Sequence, residues 1–439
     1  MPHNGSAEAP ARIHHSLCRD NAPYRIEVGG VLTASGLVRH KHVLTVLGNR
    51  RWLLRRGAAE PGGPPVLRRF PHAAAAPALA DAHVHLHAGM RLADFVAYGV
   101  CQVRDLGSTA GTELAVPVAR HCGDPVPEVV LGGPLLDRPG KPRLNIAARW
   151  NRHDELPAVL DAAIGRGASW IKLYAQFPVD LIGTVVRQAH ARDLRVAVHP
   201  APGDAPAAIR AGVDEIEHAA CLAPRGDGVG GAHALHRRWA QRSDDSWPDV
   251  PAGVRLCPTL VVQHRLAEEA SRSWSFPGAD PGTAAFWRGM RLASRQWTDQ
   301  ELRNCRAASA EMASVVARLV RQGVHLVVGS DTPNPGVLPG RGLWEEMNLL
   351  VAAGLPPLEV YLAAAVTGSG LDAAGDEPVT LLPLASLASF EAEGRYPVEP
   401  AVATVLRGCL FVPDRLSNRH GDRDGNTLPA QPGTDAGVG

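Results

Sequence analysis

Eight short apolar runs, each followed by a segment of helical periodicity, constrain this chain more than any other feature. They are ALADAHVHL, GVCQVRDL, VPEVVLGGP, ASWIKLY, LRVAVHP, VDEIEHA, VRLCPTLVV and VHLVVGSD. Helical candidates include DELPAVLDAAIGRG, PVDLIGTVVRQAHARD and AAIRAG, with the long TDQELRNCRAASAEMASVVARLVRQG after the seventh run and RGLWEEMNLLVAAG and PLEVYLAAAV after the eighth. Buried strands that alternate with amphipathic helices imply a parallel sheet covered on both faces. Eight such units across about 270 residues suit an α/β fold of the (β/α)8 TIM barrel kind, whose usual size is about 250 residues. A doubly wound open sheet also alternates, but no GxGxxG opens a helix after any of these strands, so a dinucleotide-binding version has no support.

The flanks read differently. YRIEVGGVLTA, HVLTVLGN and RRWLLRRG are separated by turn residues and read as hairpins, and VATVLRGCLFV reads as one more strand with a bend at Gly408. Together they predict a small β-sandwich-like subdomain contributed by both sides of the barrel. The expected division is a flexible tail over 1–23, β-subdomain over 24–75, barrel over 76–372, β-subdomain again over 373–415, and a flexible tail over 416–439.

With 45 Lys+Arg against 44 Asp+Glu the net charge is +1, which leaves no electrostatic footprint for nucleic acid or an anionic membrane. No run approaches the roughly 20 apolar residues of a membrane span, and MPHNGSAEAPARIHHSLCRD lacks the apolar core of a secretory signal. The seven cysteines (18, 101, 122, 221, 257, 305 and 409) are scattered, odd in number and never form CxxC. A reducing cytoplasm is therefore the expected location, and a small molecule the expected partner. A homo-oligomer stays open.

In a barrel of this kind, reactive side chains sit at the C-terminal strand ends. There the sequence places Asp81, His83 and His85 on the first strand, Lys172 on the fourth, His199 on the fifth, Glu217-His218 on the sixth and Ser330-Asp331 on the eighth. Period-two alternation points His83 and His85 to one face. An HxH pair alone says little among 19 histidines: His40/His42 is a second one, in a basic hairpin, and His87 falls at the rim. Singly, Lys172 reads as an edge lysine, His199 and His218 as core histidines, and Asp331 as a turn cap. The coincidence of all six at strand ends reads as a metal site. Imidazole and carboxylate suit zinc and similar ions, and a lysine that takes up CO2 becomes a carbamate able to bridge two of them. Tyr174 shares the face of Lys172 and could reach substrate. Arg104 could bind a substrate carboxylate bidentately or pair with a neighbouring acid.

These motifs (DAHVHL, GVCQVRDLGS, SWIKLY, VAVHP through AGVDEIEHA, GVHLVVGSDTPNPG and LWEEMNLLVAAGLPPLEVYLAAAV) resemble the amidohydrolase superfamily over roughly residues 79–370. The detail resembles its binuclear, carboxylated-lysine branch, in the imidazolonepropionase-like and prolidase-like groups. The resemblance implies two divalent metal ions, zinc foremost. His83 and His85 would hold the more buried ion, His199 and His218 the second, and Lys172 as a carbamate would bridge them. Asp331 would bind the first ion and shuttle the proton, with Asp81 orienting a ligand histidine. The implied reaction is hydrolysis of an amide-type C–N bond in an N-acyl amino acid, dipeptide or cyclic amide, by a metal-bridging hydroxide. Two departures bear on substrate and subgroup: GGPLLDRPGKPRLNIAAR lacks the Gly-Gly-His loop of prolidase-like proteins, and GDEPVTLLPLASLASF is degenerate against the usual Ala-Asp-Leu segment. The rivals are a mononuclear deaminase on the same barrel, disfavoured by Lys172 and by the absence of a glutamate after His199, and a catalytically silent metal-binding protein.

Overall fold

A computed structural model of the chain describes residues 13–17, 22–47, 51–87, 90–108, 124–139, 150, 152–224, 231–242, 250–276, 278–279, 281–289, 295–387, 395–396 and 398–413. The polar segment expected as a C-terminal tail lies outside them. Six strands come first: β1 (Ile13–Leu17), β2 (Tyr24–Thr33), β3 (Gly36–Val38), β4 (His42–Val46), β5 (Trp52–Arg56) and β6 (Val66–Pro77). Strand β1 falls inside the segment expected as an N-terminal tail; it pairs antiparallel with a strand near residue 410.

The alternating region then supplies β7 (Leu79–Val84), β8 (Val100–Asp105), β9 (Glu128–Leu131), β10 (Leu135–Leu136), β11 (Trp170–Leu173), β12 (Arg195–Val198), β13 (Glu215–Glu217), β14 (Arg255–Cys257) and β15 (His325–Leu326). Every pairing within this set is parallel. Two sheets result, β7-β8-β9 and β10 through β15. The third expected run, VPEVVLGGP, holds β9, and a further short strand, β10, follows just beyond its Gly132-Gly133. Backbone bonds link the two sheets on both sides. Ser169 N–H donates to Leu131 O at 3.0 Å, while Ala82 N–H donates to Val328 O and His85 N–H to Thr332 O at 3.1 and 2.7 Å. Close approach on the second side needs Gly329, where a Cβ would lie 2.7 Å from both His83 N and Cys257 Sγ.

After the alternating region come β16 (Ala374–Gly375), β17 (Val379–Pro383), β18 (Ala403–Leu406) and β19 (Cys409–Pro413). They complete a ten-stranded sheet ordered β1-β19-β18-β17-β6-β2-β4-β5-β16, with β3 on β2. The strands that flank the parallel region on either side in sequence thus share one sheet. VATVLRGCLFV forms two strands rather than one bent strand. Arg407 and Gly408 both take positive φ (52° and 79°), the geometry of a two-residue hairpin turn.

Helices cover the parallel strands, and their apolar faces merge with the strands into one large core that includes Phe95, Leu160, Val185, Met312, Trp344 and Tyr361. The expected helices form at Leu156–Gly165, Ile182–His190, Ala205–Arg210, Asp299–Arg321, Arg341–Ala352 and Pro357–Ala364. Further helices at Gly231–Ala240, Leu260–Ser271 and Pro281–Arg288, and a short one at Ala93–Ala97, were not expected. The TLVV run, expected to extend the seventh strand, instead starts the second of these. Among the described residues no helix is long and apolar enough to cross a membrane. Cys101, Cys221, Cys257 and Cys305 are free and buried. Cys409 is disulfide-bonded, which departs from the all-reduced expectation; spacing alone does not show which cysteines meet.

Candidate active site

The C-terminal ends of the parallel strands gather the six side chains expected from the sequence. His83 and His85 come from β7 and its extension, Lys172 from β11, His199 from the end of β12, His218 from the end of β13, and Asp331 from the segment after β15. The chain is strained where it delivers them. His218, Thr259 and Asp331 hold φ of 65°, 48° and 57°, a region that costs a non-glycine residue about 1–3 kcal/mol and that clusters at functional sites. Strain at these three adjacent strand ends aims the side chains inward.

His83 Nε2, His85 Nε2 and Asp331 Oδ1 form a nearly equilateral triangle, with edges of 3.3, 3.4 and 3.4 Å. Tetrahedral ligands about 2.0–2.1 Å from a zinc ion lie about 3.3–3.4 Å from each other. Lys172 Nζ lies 3.5 Å from His83 Nε2. The His199 and His218 rings meet edge to face at 4.4 Å, and His83 and His218 at 4.8 Å.

Each of three histidines gives its other nitrogen to the protein. His83 Nδ1–H donates to Glu217 Oε2 at 2.6 Å, His85 Nδ1–H to Gly107 O at 2.7 Å, and His218 Nδ1–H to Thr259 Oγ1 at 2.8 Å. That arrangement leaves every Nε2 lone pair available to a cation. The electrostatics agree. Burial, then Lys172, holds His83 well below its usual range and His85 at about 4. Burial and His199 do the same for His218. Burial lowers Lys172 and raises Asp331 to about 8. Neutral imidazoles with inward lone pairs around a carboxylate that resists ionisation suit a divalent cation, which stabilises the carboxylate anion and fills the triangle. A second donor group, His83, Glu217 and Cys257, suits one less: Glu217 already holds His83 Nδ1, and burial keeps the Cys257 thiol protonated.

The site opens into a cavity of about 580 Å³ lined by His85, Lys172, His199, His218 and Asp331. Tyr174 also lines it and meets the His199 ring at 4.9 Å. His87 lines the cavity too, stacked on Phe286. Arg104 does not line it. Its guanidinium pairs with Glu215 and lies 4.2 Å over Trp170, and its Nε–H donates to Ala82 O at 2.7 Å. The second alternative for Arg104, a structural pair with an acid, is therefore the one realised; a buried guanidinium neutralised by a buried carboxylate is not available to substrate. Among the described residues Asp81 orients no histidine ring. It accepts from Ser330 N–H at 2.8 Å and so ties β7 to the segment carrying Asp331, while Glu217 takes the histidine-orienting part. Glu217, Thr259 and the cavity walls from Gly231–Ala240 and Leu260–Ser271 had no assignment from sequence. A signal for Glu217 was present, since Glu215-Ile-Glu217 places two acids on one face of a three-residue strand.

No protein-family model matches the chain. An uncharacterized protein of Mycobacterium tuberculosis (strain ATCC 25618 / H37Rv) is 28% identical over 170 residues, 32% of this chain and 44% of the relative. The chain thus spans under half the length of the curated relatives it matches. Solved structures are similar over much more. Bottromycin amidohydrolase has a TM-score of 0.61 at 18% identity, covering 95% of this chain and 92% of its own. A Xaa-Pro dipeptidase with bound methionine in the active site has 0.60 at 14%, covering 89% and 100%. A. niger ochratoxinase has 0.56 at 18%, covering 90% and 96%. The chain has the fold of these amidohydrolase and prolidase-like proteins. Within that fold, the six strand-end side chains form the candidate site.

Proposed function

We propose that this chain is a binuclear metal-dependent hydrolase on a (β/α)8 barrel that cleaves an amide-type C–N bond of a small molecule, an N-acyl amino acid, dipeptide or cyclic amide. The observation that carries the reading is the 3.3–3.4 Å donor triangle of His83, His85 and Asp331 with Lys172 beside it. His83, His85 and Asp331 would hold one ion, His199 and His218 the other, and Lys172 as a carbamate both. Divalent ions, zinc foremost, supply Lewis acidity that lowers the pKa of water and polarises a carbonyl.

The chain's own groups do the rest. Burial favours the neutral amine of Lys172, the form that adds to CO2; the new N–C bond gives a carbamate and releases one proton, so a neutral buried amine becomes an anion. Asp331 Oδ accepts a proton from the attacking water and passes it to the leaving nitrogen as the C–N bond breaks. Asn334 Nδ2–H donates to the Asp331 carbonyl at 2.8 Å and fixes the turn from which that carboxylate acts. Tyr174 would donate its hydroxyl to substrate, and the apolar wall would keep bulk water from the reacting carbon. The similar structures carry the names amidohydrolase, dipeptidase and ochratoxinase, which supports hydrolysis over deamination or a silent site. Protein reconstituted with zinc and bicarbonate should hydrolyse members of an N-acyl amino acid and cyclic amide panel. Deamination of an aminated heterocycle with no amide cleavage would refute this.

A further inference from the structure

The helical wall of the cavity carries a cation that the reaction described above does not use. On helix Gly231–Ala240, residues 231, 234, 235 and 238 lie on one face and line the cavity, the i, i+3, i+4, i+7 spacing of a helix stripe. Arg238 is the last of them. Its Nε is buried, and its guanidinium has no hydrogen-bond or ion-pair partner among the described residues. Other arginines with an unpaired Nε are held elsewhere: Arg25 donates to Glu60 O, and Arg242, one turn beyond Arg238, pairs with Glu311. Among the lining residues the only acid is Asp331, whereas Lys172 and Arg238 are both bases. Around them the surface is apolar, with Leu235, Val262, Leu266, Phe286 and Met312.

A planar fork of donors left unpaired at the edge of an apolar cavity matches a carboxylate bidentately, and such charge-assisted pairs are about twice as strong as neutral ones. We propose that Arg238 is the specificity-determining anchor for a substrate carboxylate on the leaving-group side of the scissile amide. The substrate is then an N-acyl amino acid or dipeptide with a free carboxylate and an apolar acyl group, not a neutral cyclic amide. This rests on the amide-hydrolase reading and narrows it. It also moves carboxylate recognition from Arg104, which Glu215 occupies and which does not line the cavity, to Arg238, which does.

The test is calorimetric binding of N-benzoyl-L-alanine and its carboxamide to the zinc-loaded protein, its Arg238→Met and its Arg238→Lys variants, with kinetics on the same pairs. Wild type should bind the carboxylate at least about 10-fold more tightly than the carboxamide, the range a charge-assisted pair supports. Arg238→Met should erase that preference and raise KM for the carboxylate about 10- to 100-fold, leaving the carboxamide within a few-fold. Arg238→Lys should keep part of it, which guards against a folding defect in the first variant. Equal binding of the two probes by wild type, no binding of either, or a preference that survives in Arg238→Met overturns the assignment. A preference that disappears in Arg238→Met without turnover of any amide would uphold the anchor and sink the hydrolase reading instead.

Discussion

Replacing Glu217 with glutamine keeps the shape of the site and removes one negative charge. Glu217 is fully buried. One oxygen accepts from His83 Nδ1 at 2.6 Å, and the other faces Lys172 Nζ and the Arg104 guanidinium, each at 3.7 Å. A glutamine can still accept from His83 through its carbonyl. Its amide then points N–H donors where the carboxylate faced the Arg104 guanidinium, which has no acceptor to offer them. A hydrogen bond to a charged group contributes about 1.5–3 kcal/mol, and about 1.4 kcal/mol is tenfold in affinity. Groups that orient metal-bound histidines typically contribute 10- to 100-fold. Glu217→Gln should therefore weaken binding of the tighter zinc ion by about 10- to 100-fold, read by competition against a chromophoric chelator. Circular dichroism should show the wild-type fold. Wild-type zinc affinity in a folded variant would mean that Glu217 does not set the ring of His83, and the tautomer argument for this site would fail.

Asp331→Asn should lower kcat by about 10²–10⁴, the span of a lost general acid–base, with secondary structure unchanged; turnover near wild type would remove Asp331 from proton transfer. Lys172→Ala should lose most activity and part of the metal, and acetate, propionate or bicarbonate should restore some of both; full activity without additives would show the carbamate to be dispensable. Glu346, which accepts from Val261 N–H at 2.7 Å at the start of a cavity helix, is raised by burial from 4.5 to about 8. A carboxyl raised on folding stabilises fully below its unfolded pKa, and that contribution is lost as pH rises from about 4.5 through about 8. Metal-free Glu346→Gln should consequently gain stability relative to wild type across that window in denaturant titrations, and a constant difference would contradict the shift.

Much of this site was legible because parallel strands all present their C-terminal ends on one side. Once eight strands were read, the last residues of each named His83, His85, Lys172, His199, His218 and Asp331 as neighbours. What stayed hidden depends on which strands face each other across the interior. Glu217 meets His83 from 134 positions away and Arg104 meets Glu215 from 111, and no local pattern encodes either distance. A cation within VRDLG can be read as a substrate anchor or as half of a buried pair. The helix Leu260–Ser271 was hidden for a different reason. A short apolar run such as LVV fits strand or helix, and the outcome turned on Thr259 adopting a left-handed conformation that ends β14 and directs the chain into a helix. Arg407-Gly408 shows the same limit: a glycine inside a strand pattern signals a bend, but only the backbone shows that the bend is a complete hairpin turn.

The central claim is a two-ion site bridged by a modified lysine, and elemental analysis tests it most directly. Wild-type protein and Lys172→Ala, both reconstituted with zinc and bicarbonate and freed of excess metal, would be measured for zinc per chain. The account predicts close to two equivalents in wild type and a clear loss in the alanine variant that acetate partly reverses. At most one equivalent in wild type, unchanged in Lys172→Ala, would contradict it.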